Sequence, residues 1–259
     1  MTLEHQRTPP ISMNRWIIRS YPNCDARLRL FCLPCAGGDT WLFRDWERHL
    51  PQKVDVCPIR LPGRGARIAE RPFTALPPLV HTLARALAPF RDIPFAVFGY
   101  SMGAVIAFEL ARCLRRGRDP GPVHLFPAGC RAPHWPEMSP PIHQLPDATL
   151  AAELVRRYGA ASQIVQNREL MRIMLPTIRA DFAICETYVH ILEPPLPCPI
   201  TVFGGICDST VDPISLDAWR WHTDKGFSLR LLPGHHSFIT NSRRPLLATI
   251  SEHLEQSLS

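Results

Sequence analysis

The stretch Phe95-Ala96-Val97-Phe98-Gly99-Tyr100-Ser101-Met102-Gly103-Ala104-Val105-Ile106 decides the fold. Phe95 to Phe98 reads as a short buried strand that ends at Gly99. Ala104 to Arg116 shows helical spacing, with arginines in the last turn and Gly117 as the stop, as the helix dipole favours. Between them stands Gly99-Tyr100-Ser101-Met102-Gly103. A strand that reverses into a helix over so few residues needs a sharp, strained turn, and glycines on both flanks leave room for it. The turn lifts the Ser101 hydroxyl clear of the sheet. It also sets that hydroxyl at a helix N-terminus, where developing negative charge is favoured.

Outward from this turn, strand-length apolar runs alternate with helical patterns, which predicts a mainly parallel sheet covered by helices on both faces. Strands are expected at Arg27–Leu33, Val54–Arg60, Phe95–Phe98, Val123–Ala128, Ile200–Phe203 and Ser228–Leu232. Helices are expected at Trp41–Leu50, Leu79–Ala88 after Pro77-Pro78, Ala104–Arg116, Ser215–His222 and Pro245–Gln256. From Asp147 to Tyr188 the pattern is helical and supplies no strand, with Asp147 as N-cap and Gly159 as the first stop. The expected architecture is one α/β domain over residues 1–259, with a helical lid inserted at about 140–190 and a flexible tail over 1–12.

Composition excludes several classes. With 46% hydrophobic and 20% charged residues the 259-residue chain can bury a large core and is not disordered. No run approaches the roughly 18 apolar residues of a membrane span, and Met1 to Pro10 has no apolar signal region. A cytoplasmic protein with no membrane contact is expected. The net charge of +6 comes without a nucleic-acid-binding motif or a basic arm, so no nucleic acid partner is expected. Nine cysteines are read as reduced, mostly buried thiols. Cys32 and Cys35 have metal-ligand spacing, but no second pair completes a site, so neither metal nor cofactor is expected.

A serine hydroxyl attacks only when a base takes its proton and an acid orients that base. On such a sheet the order along the chain is Ser, acid, His. Asp208 follows the strand Ile200–Phe203 and the glycines 204 and 205, which makes it the expected acid, with Asp212 as its rival. The base comes from Pro233-Gly234-His235-His236 after the last strand, and only one of the two adjacent histidines can reach Ser101. A tetrahedral intermediate also needs amide donors for its oxyanion. Met102 supplies one, and Pro34-Cys35-Ala36-Gly37-Gly38 aims the Ala36 N–H as the second.

At this point the chain resembles the stand-alone type II thioesterases of nonribosomal peptide and polyketide synthases, within the α/β-hydrolase fold. The resemblance rests on Arg27–Gly38, Leu61-Pro62-Gly63-Arg64, Gly99–Gly103, Leu175–Tyr188, Gly204-Gly205 with Asp208, and Pro233–Phe238. It implies Ser101 as nucleophile, Asp208 as acid, and His236 as base, because His235 occupies a glycine position of the family pattern. It implies Ala36 and Met102 as oxyanion donors, and it assigns Cys35, Arg179, Asp181 and Phe182 to the substrate and lid region. Cys35, His235, Ser237 and the pair Gly159-Ala160 depart from the family pattern. The implied reaction is hydrolysis of acyl thioesters on the phosphopantetheine arm of an acyl or peptidyl carrier protein, clearing stalled or misloaded synthases. The alternatives are a product-releasing or acyl-transferring thioesterase, a plain ester hydrolase, and a non-catalytic carrier-binding protein. Carriers are acidic, which makes Arg112, Arg115, Arg116, Arg118, Arg156 and Arg157 candidate docking residues.

Overall fold

Mainly apolar runs of four to six residues become strands, most of them buried on both faces as parallel sheets require, while the edge strand Phe227–Leu232 is partly exposed. The computed structural model describes residues 15–19, 22–136, 138–158, 165 and 167–258. The expected tail over 1–12, the stop at Gly159 and the Gly159-Ala160 pair lie outside the described residues. Strands β1 (Leu28–Leu33), β2 (Val54–Pro58), β3 (Phe95–Tyr100), β4 (Leu125–Ala128), β5 (Ile200–Gly205) and β6 (Phe227–Leu232) form one sheet. Their order is β2-β1-β3-β4-β5-β6, and every pairing is parallel. An antiparallel bridge from Ile17 to Ile59 runs beside the end of β2.

Alternation along the strands builds two cores. Leu28, Leu30, Cys32, Ala96 and Phe98 face one side, where Leu246, Ile250 and Leu254 of the C-terminal helix Arg243–Leu258 cover them. Phe31, Leu33, Phe95 and Val97 face the other side, under α1 (Leu76–Leu87) and α2 (Met102–Arg116). Each fully buried Leu or Phe contributes about 1.5–3 kcal/mol, so these two faces hold the sheet.

Two predicted boundaries shift for clear reasons. α1 begins at Leu76, three residues early, because Pro77 and Pro78 occupy its first turn, where the missing N–H has no partner to lose. The helix expected at Trp41–Leu50 is two 3-10 turns, Thr40–Phe43 and Trp46–Arg48, divided by Asp45 at φ 62°. The break lets Phe43 and Trp46 both insert against Phe98, with ring centroids 6.0 and 4.9 Å from it.

Between β4 and β5 lie α3 (Asp147–Tyr158) and α4 (Arg168–Glu186). They form a small core of their own, with Leu150, Leu154, Met171, Leu175, Ile178 and Phe182, and Ala36 packs against it. Asp147 is the first residue of α3, not its cap, and its carboxylate takes a hydrogen bond from Arg179. Arg112 is not a surface residue: it is 2% exposed and is paired with Glu109 and Glu193. No described helix is long and apolar enough to cross a membrane.

Candidate active site

β3 delivers Ser101 to the carboxyl edge of the sheet, and α2 begins with the next residue. Ser101 adopts φ 54° and ψ −114°, a strained conformation for a residue with a side chain. Its flanks explain the glycines. A Cβ on Gly99 would lie 2.2 Å from the Gly103 oxygen, and one on Gly103 would lie 2.3 Å from the Leu33 oxygen. The Ser101 N–H donates to the Ala128 oxygen at 2.7 Å, tying the turn to β4.

The three expected groups converge. His236 Nε2 lies 3.3 Å from Ser101 Oγ, and His236 Nδ1 lies 2.8 Å from Asp208 Oδ2. The longer contact is usual for a substrate-free site, where such bonds tighten only in the reacting complex. Burial pushes the Asp208 carboxyl upward, but hydrogen bonds from His236 and Thr210 outweigh it and hold the pKa below the usual carboxylate value. Asp208 is thus a firm anion against which an imidazolium can form. Its rival Asp212 is spent elsewhere: Oδ1 accepts from Ile214 N at 3.0 Å and Ser215 N at 2.9 Å, capping α5 (Pro213–Asp217). His235 is exposed, with Nδ1 2.9 Å from the Cys207 oxygen, so the second histidine is the one that faces Ser101.

Two neighbours of this triad carry no motif signal. Thr210 donates its N–H (2.9 Å) and its hydroxyl (2.7 Å) to Asp208 Oδ1. Tyr100 donates its hydroxyl to the His236 carbonyl and lays its ring over the imidazole at 5.6 Å. Both hold His236 and Asp208 in register. Only their places, next to Ser101 and Asp208 in the chain, could have drawn notice.

The amides of Ala36 and Met102 belong to residues lining a cavity of about 960 Å³ that also exposes Ser101 and His236. Its lining is mainly apolar, including Val105, Leu154, Met171, Ile178 and Phe182. Cys35 lines it too. Burial pushes the Cys35 thiol up to about 12, so it stays protonated and does not compete as a nucleophile. Phe182 packs on Tyr158, whose ring stands 5.5 Å from that of His236.

Arg179 and Asp181 do not line this cavity. Arg179 faces the other way, donating to the His143 oxygen at 2.7 Å. Asp181, 1% exposed, braces the loop that carries Ala36. Its Oδ2 accepts the Gly37 N–H at 2.8 Å, and its Oδ1 meets Arg64 Nη2 at 2.7 Å. Arg64 Nη1 in turn donates to the Gly38 oxygen at 2.9 Å. Thr177 adds a hydrogen bond to the Gly63 oxygen at 2.6 Å. Helix α4 thereby grips both glycine loops.

Residues 28–258 match the family described as a thioesterase domain. The gramicidin S biosynthesis protein GrsT of Aneurinibacillus migulanus is 41% identical over 93% of this chain and 94% of its own length. Among solved structures, RedJ, a thioesterase from the prodiginine pathway of Streptomyces coelicolor, superposes with a TM-score of 0.84 at 39% identity. That match covers 91% of this chain and 89% of RedJ. The type II thioesterase BorB from the borrelidin cluster gives a TM-score of 0.85 at 36% identity, over 92% and 97% of the two chains.

Proposed function

Because the chain belongs to the thioesterase family and is a hydrolase of thioesters, we propose that Ser101, His236 and Asp208 clear acyl groups from carrier proteins. The carriers are those of a nonribosomal peptide or polyketide synthase, in the cytoplasm. The observation that carries this reading is the continuous hydrogen-bonded line from Asp208 through His236 to Ser101 at the wall of an apolar cavity.

The chemistry follows from the distances. His236 Nε2 takes the Ser101 proton as Oγ attacks the thioester carbonyl. Charge moves onto the carbonyl oxygen, where the Ala36 and Met102 amides receive it, each such donor being worth about 2.7–4 kcal/mol of barrier. The tetrahedral centre collapses, the C–S bond breaks, and His236 returns the proton to the departing thiol. Water then attacks the acyl-serine, giving its proton to His236, and the free acid leaves as Oγ regains a proton. Asp208 remains an anion throughout and holds the imidazole in the tautomer that has Nε2 free. The apolar walls suit an acyl chain.

The relatives' places in antibiotic clusters support a task of removing acyl groups that block a carrier. The test is hydrolysis of a panel of acyl groups, each presented on carrier protein and on a simple aryl alcohol. Faster turnover of the carrier thioesters is expected. Turnover of aryl esters without carrier thioesters would refute the reading.

A further inference from the structure

Most arginines that frame the site are tied to a carboxylate: Arg60 to Asp39, Arg64 to Asp181, Arg157 to Glu153. Arg44 and Arg243 are different. Among the described residues neither guanidinium has an ion pair or a hydrogen bond, and Arg243 Nε and Nη2 are withdrawn from solvent with no acceptor. A desolvated cation without a counter-charge is costly, and such a site favours an anion.

Both arginines line one groove of about 390 Å³. Its remaining walls are Trp41, Leu42, Ile239 and Thr240, and all four also line the cavity of Ser101. The groove is therefore a side arm of the reaction cavity. Chain order explains the junction: Trp41 and Arg44 follow the Ala36 loop, while Ile239, Thr240 and Arg243 follow His236. Trp41, 61% exposed, offers a broad apolar face at the rim.

We propose that this groove receives the phosphate of the phosphopantetheinyl group that carries the acyl thioester, with Arg44 and Arg243 as its paired cations. The proposal rests on the thioesterase reading of the cavity. The acyl chain occupies the apolar cavity and the thioester carbon lies at Ser101. The arm then runs past Leu42, Ile239 and Thr240, and Trp41 covers its aliphatic segment. Guanidinium forks match phosphate oxygens in geometry as well as charge, which a lone lysine would not. No described residue lining the groove is acidic. The same phosphate reaches the enzyme from two sources, coenzyme A and a carrier protein.

The test uses one acyl group on four thiols: pantetheine, 4′-phosphopantetheine, coenzyme A and a phosphopantetheinylated carrier. Wild type is expected to show a lower KM for the phosphopantetheine thioester than for the pantetheine thioester. In Arg44→Ala/Arg243→Met that preference falls about tenfold, the scale of a lost hydrogen bond between charged groups. KM for the coenzyme A and carrier thioesters rises alongside, with little change in kcat. Arg44→Glu alone, at an exposed position, gives the same direction should the double variant fold poorly. Equal losses on pantetheine and phosphopantetheine, or a rise confined to only one of the two sources, overturns the proposal. Failure of wild type to hydrolyse any of the four thioesters overturns the thioesterase reading itself, which keeps the two failures apart.

Discussion

Replacing Asp181 with leucine separates what the buried brace does for stability from what it does for catalysis. Both side chains of the pair are buried, with 2.7 Å between Arg64 Nη2 and Asp181 Oδ1. At an effective dielectric of about 20, that separation corresponds to roughly 6 kcal/mol of attraction, most of it cancelled by desolvation. Burial raises the Asp181 pKa even beside Arg64, so desolvation outweighs the attraction at this carboxyl. Asp181→Leu leaves Arg64 charged, buried and alone, and a loss of about 3–5 kcal/mol is expected, a large share of a typical domain's stability. Arg64→Met/Asp181→Leu removes both charges, and its stability is expected to recover part of that loss, remaining about 1–3 kcal/mol below wild type because the Gly37 N–H and the Gly38 oxygen lose their partners. Activity is not expected to return. Gly37 has lost its acceptor and Gly38 its donor, so the Ala36 amide is no longer aimed, and kcat should fall by about ten- to a hundredfold, short of the full loss of an oxyanion donor. Denaturant midpoints and kcat on an acyl thioester, measured on all three proteins, decide the matter. A double variant that is stable and within twofold of wild-type kcat would refute the aiming role.

The histidine pair is directly separable: His236→Ala should abolish turnover, whereas His235→Ala, altering an exposed ring bonded to the Cys207 oxygen, should retain it within about threefold. Steady-state kinetics with a melting-curve control checks the ranking, and the reverse order would move the base by one residue. Thr210→Val removes the hydroxyl donor to Asp208 and is expected to lower kcat by about tenfold with KM unchanged, because the carboxylate loses one of its restraints. Acid sensitivity should come from His124 and His222, which burial holds neutral with pKa values of about 3. The unfolded chain takes up those protons below about pH 6.5, so stability is full above that point and falls towards pH 3, by about 1.4 kcal/mol per pH unit for each histidine. His222→Phe should flatten that slope in denaturation curves between pH 6 and 4, and an unchanged slope would count against it.

Legibility followed from how local each constraint is. Gly99 is required by a contact within the turn itself and Gly103 by the neighbouring end of β1, and both fall inside one five-residue motif from which the turn and its serine could be read. Asp208 and His236 were readable because each follows the end of a strand, β5 and β6, on the same edge of the sheet as Ser101. The sequence left both Asp212 and His235 open, and geometry places each of them in other bonds. Long-range pairings were not readable. Asp181 and Gly37 are 144 residues apart, and no local pattern shows that a lid aspartate turns toward the Ala36 loop and away from the cavity. Arg112 failed as a surface candidate for a similar reason: its place towards the far end of α2 gave no sign that Glu193, on a distant loop, pairs with it in the interior.

Single-turnover hydrolysis of an acyl-carrier thioester by wild type and by Ser101→Ala tests the central claim most directly, with melting temperatures measured on both. A loss of at least about a thousandfold is expected in a variant that melts as wild type does. A folded Ser101→Ala that hydrolyses within tenfold of wild type would contradict it.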